Sequence, residues 1–237
     1  MDKEYLDLAL KALIKSKSIL KKKKPKKIST HKKEIKINLD KLLSREIIKI
    51  LKRSKIDIIS EENSLKTNDK IISLKKDFWV IDPLDGSLNY LRKIPNSSIC
   101  ISLVKDFKII ISYIYDIFND NIYLAYRNKI YKNRKEIKIR RKFIQRKIGV
   151  LATGFPHKYD FKKPHINFNN FQKVRMIGCA SLSLLGCAFG RYDWYNEKNI
   201  MIWDIIAGVH FNLINKCKIK KFKINKICQE VSLGYCY

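Results

Sequence analysis

Apolar residues set two different rhythms along this chain. In the first fifty positions Leu6, Leu10, Leu13 and Ile14 recur at helical spacing. Leu39, Leu42, Leu43, Ile47, Ile50 and Leu51 repeat that spacing behind Asn38, a candidate N-cap. Two helices are expected there, joined by the basic hairpin KKKKPKKISTHKKEIKI, in which Pro25 ends the first helix. The plainer reading of that stretch is a solvated, mobile loop of self-repelling lysines; the other is a flap that attracts anions. From Ile56 the rhythm shortens to β-rich runs at 56–60, 78–82, 98–104, 108–116 and 121–126, a sheet of meander character. A strand at 148–153, a short one near Val174, a helix near 181–189, a strand at 192–196 and a helix starting near Asp204 follow. The tyrosines and tryptophan of that later strand, Tyr192, Trp194 and Tyr195, read as core or dimer interface. Helices interleaved with antiparallel-leaning strands predict a layered α/β or α+β domain without the regular βαβ alternation of a doubly wound sheet.

Length and composition narrow this only a little. A chain of 237 residues holds one large domain or two small ones. With 46% hydrophobic and 11% aromatic residues it can build a core, so general disorder is excluded. No uninterrupted apolar run approaches the ~18 residues of a spanning helix. The amino terminus opens on acidic residues and lacks the small-residue cleavage site of a signal peptide. A soluble, cytoplasmic protein with no membrane partner is the expectation.

Charge changes the picture more. Lys and Arg total 51 against 22 Asp and Glu, a net +29 at neutral pH. Such an excess points to a polyanionic partner. Only ten of the cations are Arg, however, whereas nucleic-acid interfaces favour its bidentate fork. Ile and Asn are abundant beside Lys, and all three have A/T-rich codons, which favours compositional drift over a dedicated nucleic-acid surface. Six cysteines, Cys100, Cys179, Cys187, Cys217, Cys228 and Cys236, form no CxxC pair and no zinc spacing with the four histidines. They read as buried or indifferent thiols of a reducing compartment.

The chemistry concentrates where the scarce glycines lie. In WVIDPLDGSLNY, Asp82 ends an apolar strand, Pro83 fixes a turn, and Asp85, Gly86 and Ser87 open the next helix. The turn projects two carboxylates beside backbone N–H groups suited to a phosphate. Two carboxylates repel an anion unless cations intervene, so the combination makes sense with hard divalent metals. Taken alone, DPLDGS reads equally as a turn in which Asp85 caps the helix. Glu61 and Glu62 end the strand of IDIISEEN, and Asp204 opens the apolar helix of MIWDIIAG, where it also reads as a plain N-cap. Carboxylates at three separate segment ends are what a site for two or three metal ions needs.

The order SEEN, DPLDGSLNY, GCASLSLLGCAFGRYDWY and WDIIAG resembles the inositol monophosphatase family of metal-dependent, lithium-sensitive phosphomonoesterases, from about residue 3 to about 215. Within it LATGFPHK looks most like the bacterial SuhB-type enzymes. The resemblance implies a layered αβαβα sandwich, a homodimer and two to three Mg2+ ions. It also implies hydrolysis of inositol 1-phosphate or a related small sugar-alcohol phosphate. By position, Glu61, Asp82, the Leu84 carbonyl, Asp85 and Asp204 match the metal ligands. Ser87 stands where the family has Thr and would, with Glu61 and Asp82, serve the catalytic step. Gly86 and Ser87 would hold the phosphate, and Gly178, Cys179, Ala180, Glu197 and Asp204 the substrate. Asp40 matches an Asp near the metal site. For the Cys179 thiol itself, simple packing is the plainer reading. The segment 1–145 carries the SEE and DPLDGS motifs and 146–237 the GCAS and WDIIAG motifs, within one compact catalytic unit.

After WDIIAG the chain departs from the family pattern, reading CKIKKFKINKICQEVSLGYCY, so shortened or missing last strands and a missing closing helix are expected. Two other functions stay open. One is a 3'(2'),5'-bisphosphate nucleotidase of the same superfamily. The other is a SuhB-like protein that contacts RNA or the transcription machinery with reduced catalysis.

Overall fold

The computed structural model describes residues 2–23, 27–31, 34–64, 76–138, 149–154 and 171–234. Cys236, His157, His165 and the end of the LATGFPHK run lie outside them. Helix α1 (Asp2–Lys22) buries Leu8, Ala9, Ala12, Leu13 and Ser16 along one stripe, as its 3.6-residue period demands. Asp2 and Glu4 in its first turn and Lys21 and Lys22 in its last complement the helix dipole. Helix α2 (Asn38–Leu51) buries Leu39, Leu43, Ile47 and Leu51 at four-residue steps. Between the two lies a real antiparallel hairpin, β1 (Lys27–His31) and β2 (Glu34–Ile37), rather than an unstructured loop.

A seven-stranded sheet follows in chain order: β3 (Asp57–Ser60), β4 (Phe78–Asp85), β5 (Ser98–Lys105), β6 (Lys108–Asp116), β7 (Asn121–Tyr126), β8 (Lys129–Lys132) and β9 (Lys135–Ile137). Only β3 and β4 pair in parallel; the rest is the expected meander. Short helices α3 (Glu61–Ser64) and α4 (Ser87–Arg92) leave the carboxyl ends of the two parallel strands. One sheet face packs on α1 and α2 through Trp79, Ile81, Ile99, Ile101 and Leu103.

The other face packs on two central helices, α5 (Ala180–Ala188) and α6 (Ile202–Ile214). Cys100 and Ile114 meet Leu185, Ala188, Ala207 and Phe211 there. Helices α5 and α6 turn Leu184, Cys187, Ile205 and Val209 the opposite way, onto Tyr195, Val231 and Leu233 of a second sheet. That sheet has five strands in the order β11 (Lys173–Arg175), β10 (Val150–Ala152), β12 (Trp194–Met201), β14 (Cys228–Gly234) and β13 (Lys218–Lys221). The layering is thus helix, sheet, helix, sheet. Among the described residues no helix covers the outer face of the second sheet.

The carboxyl-terminal segment corrects the expectation of lost strands. Residues 218–234 form a strand pair, and β14 lies inside the sheet, hydrogen-bonded to β12 and β13. Val231 and Leu233 supply the alternate buried positions that a lysine-rich segment hides from a periodicity count.

Candidate functional site

The chain brings its acidic motifs to one place, at the carboxyl ends of β3 and β4 and the amino ends of α5 and α6. Ser60 ends β3 and Glu61 begins α3, while Asp82 and Asp85 lie in the last half of β4. Asp82 Oδ1 accepts the Leu84 N–H at 2.9 Å, which tightens the Pro83 turn. Asp85 does not cap the helix that follows it. Its carboxylate instead accepts the N–H groups of Ala180 (3.3 Å) and Ser181 (2.8 Å), the Ser181 hydroxyl (2.6 Å) and the Cys179 thiol (3.1 Å). It thereby caps α5, more than ninety residues away, and ties the two halves of the chain together. The Cys179 thiol is accordingly a buried donor as well as a packing group.

Position 86 requires glycine. Its φ is +79°, and a Cβ there would sit 2.7 Å from the Asn96 carbonyl and 3.1 Å from that of Gly178. Asp204 lies in the first turn of α6, where its carboxylate accepts the Met201 N–H at 3.3 Å. Met201, not Asp204, is the N-cap: Asp204 is the third helical residue, whose carboxylate turns back to the cap N–H, and it is half-buried beside the other carboxylates.

Electrostatics show how close the carboxylates are. Burial, then Asp85, Asp204 and Glu61 in turn, push the Asp82 carboxyl well above its ordinary value. Burial, then Asp85, Glu61 and Glu197, do the same to Asp204. Burial also raises Asp85, against the pull of its hydrogen bonds from Ser181, Cys179 and Ala180. None of the leading influences on Asp82 or Asp204 is a cation. Carboxylates buried against one another are costly unless protons or cations join them. Hard oxygen donors of this kind suit Mg2+ far better than a soft ion. Among the described residues no three His, Cys, Asp or Glu side chains are gathered closely enough to hold a metal ion as they stand. The fit to a divalent ion therefore rests on donor chemistry and charge.

The remaining candidates border this centre. Ser87 Oγ lies 2.9 Å from both Asp40 Oδ1 and the Leu84 carbonyl, and its single hydrogen serves one of them at a time. Asp40 is buried on α2. Glu197 on β12 accepts the Tyr195 hydroxyl and the Gly154 N–H, and burial raises its carboxyl to about 7. The structure adds residues that the motifs did not name. Asn89 donates its side-chain amide to the carbonyls of Asn96 (2.8 Å), Ile177 (2.7 Å) and Gly178 (3.2 Å), fastening α4 to the loop before α5. Ser181 and Tyr195 hold Asp85 and Glu197. Asn89 stands inside the DGSLNY motif, which was a usable signal. The Tyr195 alternation spoke only for burial, and nothing in the sequence paired Ser181 with Asp85.

Comparison with known proteins agrees with this geometry. Residues 1–210 match the inositol monophosphatase family. The chain belongs to that family. Among its family relatives, Nus factor SuhB of Pasteurella multocida is 33% identical over 183 residues, covering 72% of this chain and 66% of the relative. Inositol-1-monophosphatase of Rhizobium meliloti is 31% identical over 140 residues, covering 55% and 52% of the two chains. The matches thus span slightly less than two thirds of the SuhB relative and about half of the other. The inositol monophosphatase structure from Anabaena superposes with a TM-score of 0.74 at 26% identity, over 97% of this chain and 90% of that one. An IMPase/NADP phosphatase structure superposes with a TM-score of 0.81 at 18% identity, over 98% and 90%, which speaks for the shared fold. The layered α/β sandwich expected from the resemblance is therefore the fold of the chain, with four of its five layers formed by the described residues.

Proposed function

We propose that this protein is an Mg2+-dependent phosphomonoesterase acting on inositol 1-phosphate or a related small sugar-alcohol phosphate. The observation that carries the reading is the set of buried, mutually repelling carboxylates contributed by three distant segments. Glu61, Asp82, Asp85, Asp204 and the Leu84 carbonyl would hold two to three ions. Bound Mg2+ supplies neutralisation of the phosphate charge and a lowered pKa for the attacking water. With its O–H turned to Asp40, Ser87 would keep a lone pair free to accept a hydrogen bond from that water, and Glu61 would fix its direction. The N–H groups of Gly86 and Ser87 hold phosphate oxygens. Backbone groups of Gly178, Cys179 and Ala180, with Glu197 and Asp204, engage the alcohol. The water would give up one proton through the Glu61 carboxylate to solvent as its oxygen bonds to phosphorus, the ester P–O bond would break in line, and the leaving alkoxide would take one proton back from solvent. Free alcohol and inorganic phosphate result, with no covalent enzyme intermediate.

A second reading is favoured by the relatives, several of which are Nus factors. In it the +29 chain contacts RNA or a transcription complex, and catalysis is reduced. A bisphosphate nucleotidase activity is the alternative within the same chemistry. A panel of phosphomonoesters with and without Mg2+ separates these. The proposal expects metal-dependent phosphate release that Li+ inhibits. No metal-dependent turnover, together with tight RNA binding at physiological salt, would overturn it.

A further inference from the structure

The proposed chemistry sits at the carboxyl ends of β3 and β4 and leaves the opposite end of the seven-stranded sheet without a role. Asp82 pairs with Cys100 across β4 and β5, whereas Lys105 pairs with Lys108 at the far end of β5, five residues and about 17 Å further along the strand. A cavity of about 350 Å³ opens there, within the usual range of small-ligand pockets. Its apolar walls are Phe107 and Ile109 of the β5–β6 hairpin, Leu213 and Ile214 at the end of α6, and Phe222 and Ile224 after β13. The last two are fixed by Gln229, buried on β14, which accepts the Lys223 N–H at 2.6 Å and donates to the carbonyls of Lys223 (3.0 Å) and Lys226 (2.9 Å). Phe107 has a φ of +55°, uncommon for a bulky residue, and is 41% exposed; Leu213 is 48% exposed.

The polar lining is Lys108, Asn128 and His210, with no acidic side chain among the described lining residues. Lys108 and Asn128 are exposed, while His210 is only 7% exposed. His210 Nδ1 bonds the Ser112 hydroxyl at 3.0 Å, and Ser112 in turn meets Ser102 at 2.9 Å, so the ring is held from behind. Among the described residues its other nitrogen, Nε2, has no partner, although the ring borders the cavity. Burial lowers its pKa to about 4, so at neutral pH Nε2 offers one hydrogen-bonding site and no charge. A nitrogen so placed is satisfied by a polar atom of a bound molecule. We propose that this cavity is a second binding site, which takes a small aromatic carboxylate bearing a hydroxyl at the far end of its ring. The rings of Phe107 and Phe222 favour an aromatic body. Lys108 and the Asn128 amide meet the carboxylate at the mouth, and a hydroxyl, which can donate or accept, suits Nε2 in either tautomer. The site does not depend on the phosphatase reading.

The probes para-hydroxyphenylpropionate, phenylpropionate and para-hydroxyphenylpropionamide differ from the first in one group at a time. Isothermal titration calorimetry on the whole chain is expected to show one saturable site for the first. Removing the ring hydroxyl should weaken binding about tenfold, because His210 is then covered without a partner. Exchanging carboxylate for amide should weaken it by up to about fivefold, as an exposed ion pair contributes little, and Lys108→Gln should abolish that difference. Leu213→Glu should lower affinity for the acid about tenfold through like-charge repulsion. Ile14→Glu, the same change on an equally exposed residue of α1, should leave it unchanged, and both variants should keep the parent Tm. Binding should also be the same in Asp82→Asn, and with Mg2+ and inorganic phosphate present, which separates this cavity from the carboxylate site. No saturable binding of any probe, equal affinity with and without the ring hydroxyl or the carboxylate, or binding that survives Leu213→Glu overturns the inference. Competition by phosphate, or loss of binding in Asp82→Asn, overturns it too, since the probe would then occupy the carboxylate site.

Discussion

Gly208, in the middle of α6, offers a substitution whose two physical effects have opposite signs. Replacing a helical glycine by alanine ordinarily gains up to about 1 kcal/mol of helix propensity. Here a Cβ would meet Leu184 on α5, with Cδ1 at 2.9 Å, Cγ at 3.2 Å and the Leu184 Cβ closer still. The near atoms belong to the root of that side chain, so a rotamer change does not clear them and the two helices must separate. Overpacking of this kind costs about 1 to 3 kcal/mol, which leaves Gly208→Ala destabilised by about 1 kcal/mol net. For a chain of this size that lowers Tm by about 2 to 4 °C. The separation also matters for function, because α6 carries Asp204 while the amino end of α5 grips Asp85. Misplacement by about 1 Å can cost on the order of a hundredfold in rate. Urea unfolding and phosphatase assays of Gly208→Ala, Leu184→Gly and the double variant form a cycle. In the Leu184→Gly background, which removes the Leu184 Cβ as well, the alanine should recover its helix gain, giving a coupling of about 2 kcal/mol. A Gly208→Ala protein with raised Tm and full activity would refute the close-crossing argument.

Other outcomes follow from the same structure. Asp204→Asn should abolish turnover yet stabilise the metal-free protein at pH 8, read by unfolding in EDTA. Burial and the neighbouring carboxylates raise the Asp204 pKa, so the proton it favours is lost as pH rises, and the advantage of Asn should vanish below the unfolded value near 3.8. His210 gives the opposite slope. Burial lowers its pKa from 6.5 to about 4, so the stability it contributes is complete above 6.5 and is lost as pH falls towards 4. At 1.36 kcal/mol per unit, that span is worth about 3 kcal/mol. His210→Gln, which can still reach Ser112, should flatten the difference in urea midpoint over that window; an unchanged slope would contradict it.

Much of this was written in the sequence, for physical reasons that differ by element. The runs at 78–82, 98–104 and 108–116 are nearly all apolar because both faces of that sheet are covered by helices, so their strands could be read directly. DPLDGS was legible because the turn needs Pro83, Gly86 and two carboxylates within five positions. Strands β13 and β14 were not, since Lys218, Lys220 and Lys221 mask an alternation that only Ile219, Val231 and Leu233 carry. Partnerships across the chain were equally hidden. Asp85 with Ser181, and Asn89 with Ile177, are separated by more than eighty residues, and only the closing of the two sheets on α5 and α6 brings them together.

The central claim is that the buried carboxylates form a divalent-metal phosphatase site. Its most direct test is phosphate release from inositol 1-phosphate by the wild type and Asp82→Asn side by side, across a Mg2+ titration with an EDTA blank. The account predicts saturable, Mg2+-dependent release by the wild type and almost none by the variant. Release that ignores Mg2+, or an Asp82→Asn protein as active as its parent, would contradict it.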